Sequence, residues 1–178
     1  MPKKIISIDQ GTTSSRAVLF DENGELLDFK QKEFKQNFPK DGWVEHNPEE
    51  IWSSVVEVTE ELIKGHRLSA REIAGFGITN QRETTLLWER ETGKAVYPAI
   101  VWQDRRTQEY CKSLKNKNYE NTFRKKTGLF IDPYFSATKI KWILDNVMVS
   151  KKLLRTNNLL FGTVDTFLIW KLTKCKQH

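Results

Sequence analysis

Cysteine, histidine and long apolar runs are all scarce in this 178-residue chain, and each scarcity closes off a class of protein. The two cysteines, Cys111 and Cys175, lie far apart and fit neither a CxxC nor a metal-ligand spacing. Reduced thiols in a cytoplasmic protein are therefore expected. His46 falls in an acidic loop, His66 just past a helix and His178 at the end of the sequence; none has a metal or triad partner, and none is given a role. No hydrophobic stretch approaches the ~20 residues of a membrane span, and Lys3-Lys4 precede too short an apolar run for a signal peptide. The GxxxxGK(S/T) pattern of a P-loop is missing, as are internal repeats and low-complexity segments.

What remains is a globular composition, 38% hydrophobic and 29% charged, in a length that is most simply one domain. The net charge of +6 is unevenly spread: residues 1–111 carry 15 Lys/Arg against 19 Asp/Glu, and residues 112–178 carry 14 against 4. These lysines are scattered over amphipathic helices without an RNP, zinc-finger or helix-turn-helix signature. They read as a solvated face, or as a surface that an acidic partner covers, and no nucleic-acid partner is expected.

The most informative stretch runs from Ile5 to Arg16. A β-branched run leads into Asp9, Gly11 and the hydroxyls of Thr12, Thr13, Ser14 and Ser15, and a second apolar run, Ala17–Phe20, follows. This pattern predicts strand, tight turn, strand. Backbone N–H groups freed by Gly11, with the hydroxyls of Thr12, Thr13 and Ser14, can wrap a phosphate. Asp9, at the end of a buried strand, is placed to hold a hydrated Mg²⁺. A polar hairpin turn would use the same residues.

Further along, Asn23-Gly24 predicts a two-residue type I′ turn and Leu26–Gln36 a third antiparallel strand. Asn47-Pro48-Glu49-Glu50 predicts a helix start with an acid able to close a capping box, and Gly65 its stop. A short buried strand is expected over Ile73–Thr79 and another over Thr84–Trp88. Glu91-Thr92-Gly93 turns the chain into Ala95–Val101, where Pro98 argues for an edge or a bulge. Asp104 is expected to cap a helix over Arg105–Lys117, and a basic helix covers Tyr119–Lys126 before Gly128. Ser136 is expected to cap a helix carrying Ile140, Ile143, Leu144 and Val147, followed by a strand over Leu159–Val164 and a helix over Asp165–Leu172. Strands in a run, then helices alternating with single strands, indicate an α/β fold with a mixed sheet.

Two more groups can carry chemistry. Arg82-Glu83 follows a strand of an open sheet, where such folds place ligands, and offers forked donors beside acceptors that can grip neighbouring hydroxyls of a polyol. An exposed loop pair of little consequence is the other reading. Trp102, Tyr134 and Phe135 in loops suit a small ligand with a carbon face and hydroxyls, and equally suit lids on a core.

Six segments, taken in order, resemble the FGGY carbohydrate kinase family and, within it, the glycerol kinases: Asp9–Arg16, Gly42–His46, Gly77–Thr84, Ala99–Gln103, Ile131–Ser136 and Phe161–Thr166. The Asn80-Gln81-Arg82-Glu83-Thr84 run is the specific one, since xylulose kinases carry a Gln-Met-His-Gly-like segment in its place. The resemblance implies a ribonuclease H-like ATPase fold of the actin, Hsp70 and hexokinase kind, with residues 1–178 forming most of an N-terminal domain and a second domain outside them. It implies transfer of the γ-phosphoryl group of ATP to glycerol, giving sn-glycerol 3-phosphate and ADP, in a cytoplasmic enzyme that is a homo-oligomer at full length. By motif, Thr12, Thr13, Ser14 and Arg16 match nucleotide-phosphate contacts, and Asp9 an acidic residue near Mg²⁺, through water. Arg82, Glu83 and Tyr134 match the glycerol-binding set, with Trp102 as an apolar wall. The family's general base and adenosine site have no counterpart in these residues, and Lys174–His178 departs from the family pattern. The chain alone is therefore expected to be inactive. A kinase for another small polyol, or a non-catalytic binding or regulatory relict of the family, would share most of these features.

Overall fold

Alternation along the first strand decides the first half of the architecture: Ile6 and Ile8 are buried, Ser7 between them is half-buried, and Ile5 and Asp9 on either side are exposed. The structure, a computed structural model, describes residues 3–173. In chain order its elements are β1 (Lys4–Gln10), β2 (Ser14–Phe20), β3 (Leu26–Glu33), β4 (Gln36–Asn37), β5 (Glu45–His46), α1 (Pro48–Gly65), β6 (Ile73–Asn80), β7 (Leu86–Glu89) and β8 (Ala99–Ile100). There follow α2 (Gln108–Asn116), α3 (Glu120–Thr127), α4 (Ser136–Asn146), α5 (Met148–Arg155), β9 (Leu159–Gly162) and α6 (Val164–Leu172). The chain divides into two units, one of residues up to 36 with 47–81, the other of residues 37–46 with those from 82 onward.

The first unit is a mixed sheet in the order β3-β2-β1-β6, with β1 antiparallel to β2 and parallel to β6. Its buried face meets α1: Ile6, Ala17 and Leu19 pack with Val58 and Leu62. Asn47 caps that helix, its side chain accepting from the Glu49 N–H at 3.0 Å. The expected capping box does not close, because Glu50 turns to the Asn47 amide at 3.5 Å instead. The return arm of such a box occurs later, where the Glu72 carboxylate accepts from the Ser69 N–H. Gly65 is the last residue of the helix, as expected, with His66 as its C-cap; the left-handed conformation falls on Arg67 and not on the glycine, at φ 51°, with Leu68 N–H bonded to the Ile63 carbonyl and Arg67 N–H to that of Lys64. This is a Schellman ending.

Two other expectations change here. Asn23-Gly24 does not form a type I′ turn, which needs positive φ at both residues; only Gly24 has it, at 85°. The loop instead closes through Asp21 and Glu25, with the Asp21 carboxylate accepting from the N–H groups of Asn23 and Glu25. β6 is present but not buried: Phe76 is 49% exposed, because this strand lies at one end of the sheet order.

In the second unit β5 pairs with β8 and β7 with β9, both antiparallel. Leu87, Ile100 and Ile143 form one core cluster, and Trp88 packs against Phe167 and Trp170 at ring distances of 5.3 and 5.9 Å. A buried cation organises the loops around them. The Arg106 guanidinium stacks on Trp43 at 3.8 Å and Trp142 at 4.6 Å and bonds to Asp104 and Glu45, each at 2.8 Å. Asp104 is thereby drawn away from its expected capping role. It chelates Arg106 and accepts from the Val44 N–H at 2.7 Å, and Thr107 stands at the start of a shorter α2. Val147 interrupts the helical run at φ −108°, ψ 104°, so α4 and α5 are separate helices.

His46 is not in a loop. It sits in β5, fully buried, and burial lowers its pKa from 6.5 to about 4. The imidazole is thus neutral in the fold, whereas the unfolded chain takes up a proton as pH falls through 6.5. Stability should drop between pH 6.5 and 4, by about 2 kcal/mol at pH 5, and urea unfolding of the His46→Asn variant should lose that slope. Gly93 gives a second test. Its φ is +71° and a Cβ there would lie 2.6 Å from the Trp170 ring. Gly93→Ala should cost about 1–3 kcal/mol in urea unfolding.

Candidate functional site

The candidate residues fall into two groups, one in each unit. In the first unit, Gly11, Thr12 and Thr13 alone connect β1 to β2, so the turn is tighter than expected and Ser14 and Arg16 lie on β2. Gly11 N–H bonds to the Ser14 carbonyl at 2.9 Å, and a Cβ on Gly11 would approach that oxygen to 3.2 Å. Two glutamines fix the base of the turn. The Gln10 and Gln81 amides both donate to the Gly11 carbonyl, at 2.8 and 3.1 Å, and Gln81 also donates to the Gln10 side chain at 3.0 Å. With that carbonyl bound, the orientation of the peptide leading to Thr12 is set.

Asp9 and Arg16 are register partners across β1 and β2, and both are exposed on the sheet face opposite α1. The Gln31 carbonyl oxygen accepts from Arg16 Nε at 3.0 Å and Nη2 at 2.8 Å, while its amide donates to Ser14 Oγ at 3.1 Å. Arg16 is therefore extended over Phe29 by a neutral partner, and it makes no ion pair among the described residues. Gln31 was not legible beforehand, since it emerges only from the register of β2 with β3. Ser15 points the other way and shares a 2.8 Å hydrogen bond with Ser54 of α1. The result is a face of hydroxyls and a guanidinium beside one carboxylate, suited to anionic oxygens. Among the described residues no group of three His, Cys, Asp or Glu could hold a metal. A lone carboxylate such as Asp9 fits an ion that keeps most of its water, as Mg²⁺ does.

In the second unit, Glu83 adopts the left-handed conformation, φ 64°, which a non-glycine residue takes only when its surroundings enforce it. Both of its ends are held. Its carbonyl accepts from Lys139 Nζ at 2.9 Å and Thr85 Oγ1 at 3.1 Å, and its carboxylate accepts from the Ser136 N–H at 3.1 Å and hydroxyl at 3.0 Å. Ser136 is thus not the cap of α4; Phe135 holds that position, and the free first-turn N–H of Ser136 serves the carboxylate, a favourable place for negative charge. Arg82, next to Glu83, is exposed, and its guanidinium has no ion pair among the described residues.

Trp102 and Tyr134 meet edge to face at 6.0 Å, and Tyr134 meets Phe135 at 5.1 Å. Trp102 N–H donates to Thr84 Oγ1 at 3.2 Å, and the Tyr134 N–H to Asp132 Oδ1 at 2.8 Å, so both rings stand on tied-down backbone. The structure brings Glu83 and Tyr134 together through Lys139, whose ammonium also donates to the Tyr134 carbonyl. Lys139 is fully buried, and burial lowers its pKa to about 8. Helical spacing alone gave no sign of it, since a lysine on a helix is ordinarily exposed.

Residues 4–178 match the model of the FGGY family of carbohydrate kinases, N-terminal domain. The chain is similar to Plasmodium falciparum glycerol kinase, whose crystal structure with ADP is 35% identical over 99% of this chain, with a TM-score of 0.92. It shares its fold with gluconate kinase from Lactobacillus acidophilus (23% identity over 96% of the chain, TM-score 0.81). Ligand-bound xylulose kinase from the same organism is similar too (24% over 95%, TM-score 0.80). The chain covers 35%, 33% and 33% of those three proteins, about a third of each. No helix among the described residues is long and apolar enough to cross a membrane. With its mixed sheet and flanking helices, a ribonuclease H-like ATPase fold, the chain belongs to the FGGY family of carbohydrate kinases.

Proposed function

We propose that the protein serves an ATP-dependent kinase whose acceptor is glycerol, converting it to sn-glycerol 3-phosphate. The observation that carries this reading is the fixed Glu83 carboxylate beside the exposed Arg82. A three-carbon polyol offers little apolar surface, so selectivity rests on paired donors and acceptors of this kind. The 35% identity to a glycerol kinase, against 23% and 24% to gluconate and xylulose kinases, supports the same choice.

In this reading Arg82 donates to, and Glu83 accepts from, neighbouring hydroxyls, with the Tyr134 hydroxyl as a further partner and Trp102 against the carbon chain. Thr12, Thr13, Ser14 and Arg16 hold the nucleotide phosphates, a role consistent with ADP in the Plasmodium relative. Asp9 holds Mg²⁺ through water, and the ion supplies charge neutralisation on the phosphates. Phosphoryl transfer asks chiefly for positioning and for neutralised charge, which these side chains offer. Residues 1–178 take the part of the N-terminal domain. No residue among them is assigned as the general base that deprotonates the attacking hydroxyl; that group belongs to sequence outside them.

Purified 178-residue protein should therefore release no ADP on addition of glycerol in a coupled assay, and a complementing chain carrying the remainder of the family's length should restore turnover. Glycerol-dependent turnover by residues 1–178 alone would remove the assignment of the base. Preference of the restored enzyme for xylulose or gluconate would remove the assignment of glycerol. In the restored enzyme Arg82→Gln should raise the KM for glycerol about 10- to 100-fold, the effect of losing a charge-assisted hydrogen bond, with the KM for ATP unchanged.

A further inference from the structure

We propose that Lys139 is a positioning residue for polyol recognition: its buried ammonium ties the backbone carbonyls of Glu83 and Tyr134 to one point on α4 and so sets the spacing of the two side chains that hold the hydroxyls. The inference rests on the polyol-kinase reading and deepens it. A fully buried ammonium is costly unless its hydrogens are bonded, and an apolar side chain of similar length would fill the same volume at lower cost. Lys139 and Ile143 are the two buried residues of α4, and Ile143 does the ordinary work of a core residue in a cluster with Leu87 and Ile100. Lys139 instead reaches two loops that no strand pairing joins. One carries Glu83 in its left-handed conformation, the other carries Tyr134 just before the helix. Ser136, three residues earlier on the same helix, holds the Glu83 carboxylate. One helix therefore grips Glu83 at its carbonyl and its carboxylate, and Tyr134 at its carbonyl. Without the ammonium, Glu83 loses one of the two donors on its carbonyl, and Tyr134 is free to shift relative to it.

The ionisable groups acting on Lys139 are Glu83, Asp104, Asp132 and Arg105. The three carboxylates favour its charged form and Arg105 opposes it, with burial the largest influence, so its proton is lost near pH 8.

The test is steady-state kinetics on the restored, turnover-competent enzyme with Lys139→Met. The KM for the polyol should rise at least tenfold, while the KM for ATP stays within twofold of wild type. A merely structural role would lower the active fraction, and with it kcat, and leave both KM values alone. In the wild-type enzyme the polyol KM should climb as pH passes about 8, with a flat KM for ATP, and Lys139→Met should lack that climb. An unchanged polyol KM in folded Lys139→Met overturns the proposal. Should the variant fail to fold, a flat polyol KM in wild type from pH 7 to 9.5 overturns it. If the enzyme prefers a polyol other than glycerol, the same split is read with that polyol, so failure of the glycerol assignment is seen separately from failure of this one.

Discussion

The parallel pairing of β1 with β6 is the constraint on which the rest of the first unit depends. It sets Gln10 beside Asn80 at the carboxyl ends of the two strands, and it brings the Gln81 amide onto the Gly11 carbonyl. A turn of three residues between strands has little freedom once one of its peptides is bound on the carbonyl side by two amides. That is why the peptide leading from Gly11 to Thr12 is held in one orientation. Parallel pairing also requires a long crossover, here supplied by β2, β3 and α1, and α1 in turn buries the apolar face that holds the sheet flat side down. The free face is left to Asp9, Arg16 and Ser14.

The second unit achieves fixity differently, by burying charge. Arg106 is enclosed by Trp43, Tyr97 and Trp142 and satisfied by Asp104 and Glu45. Lys139 is enclosed among loops and satisfied by carbonyls. Both arrangements are expensive in desolvation, and both convert a cation into a bracket for irregular backbone, which cannot be held by ladder hydrogen bonds. Trp102 and Glu83 stand on such irregular backbone. Loops thereby acquire a rigidity that ladder hydrogen bonds do not give them.

Much of this was legible in the sequence where local rules act alone. The opening hairpin, the start of α1 at Asn47-Pro48, the ending of α3 at Gly128, and the strands around Trp88 and Leu160 all follow from periodicity and capping chemistry. The family was legible too, from six segments that point to it together. The sequence misled where a side chain found a partner other than the helix N–H it was spaced for, whether two residues away, three, or fifty-three. Asp104 had the chemistry of a helix cap but met Arg106; Ser136 had the same chemistry but met Glu83; Glu50 was spaced for a box but found the Asn47 amide. The holding roles of Gln10, Gln31, Gln81 and Lys139 went unread because their partners are side chains 15 to 71 positions away or backbone carbonyls of loops, and neither leaves a local pattern.

The helix endings carry one more lesson. Arg67, Asn118 and Asn157 each hold the left-handed position after a helix, at φ 51°, 61° and 55°, with the six-to-one hydrogen bond of a Schellman ending behind them. For side chains with a Cβ this conformation carries a steric cost of about 1–2 kcal/mol, least for asparagine. That cost sits at three exposed positions. The fold thus keeps a reserve of unrealised robustness at its helix ends, open to glycine replacement without touching the residues that would meet a ligand.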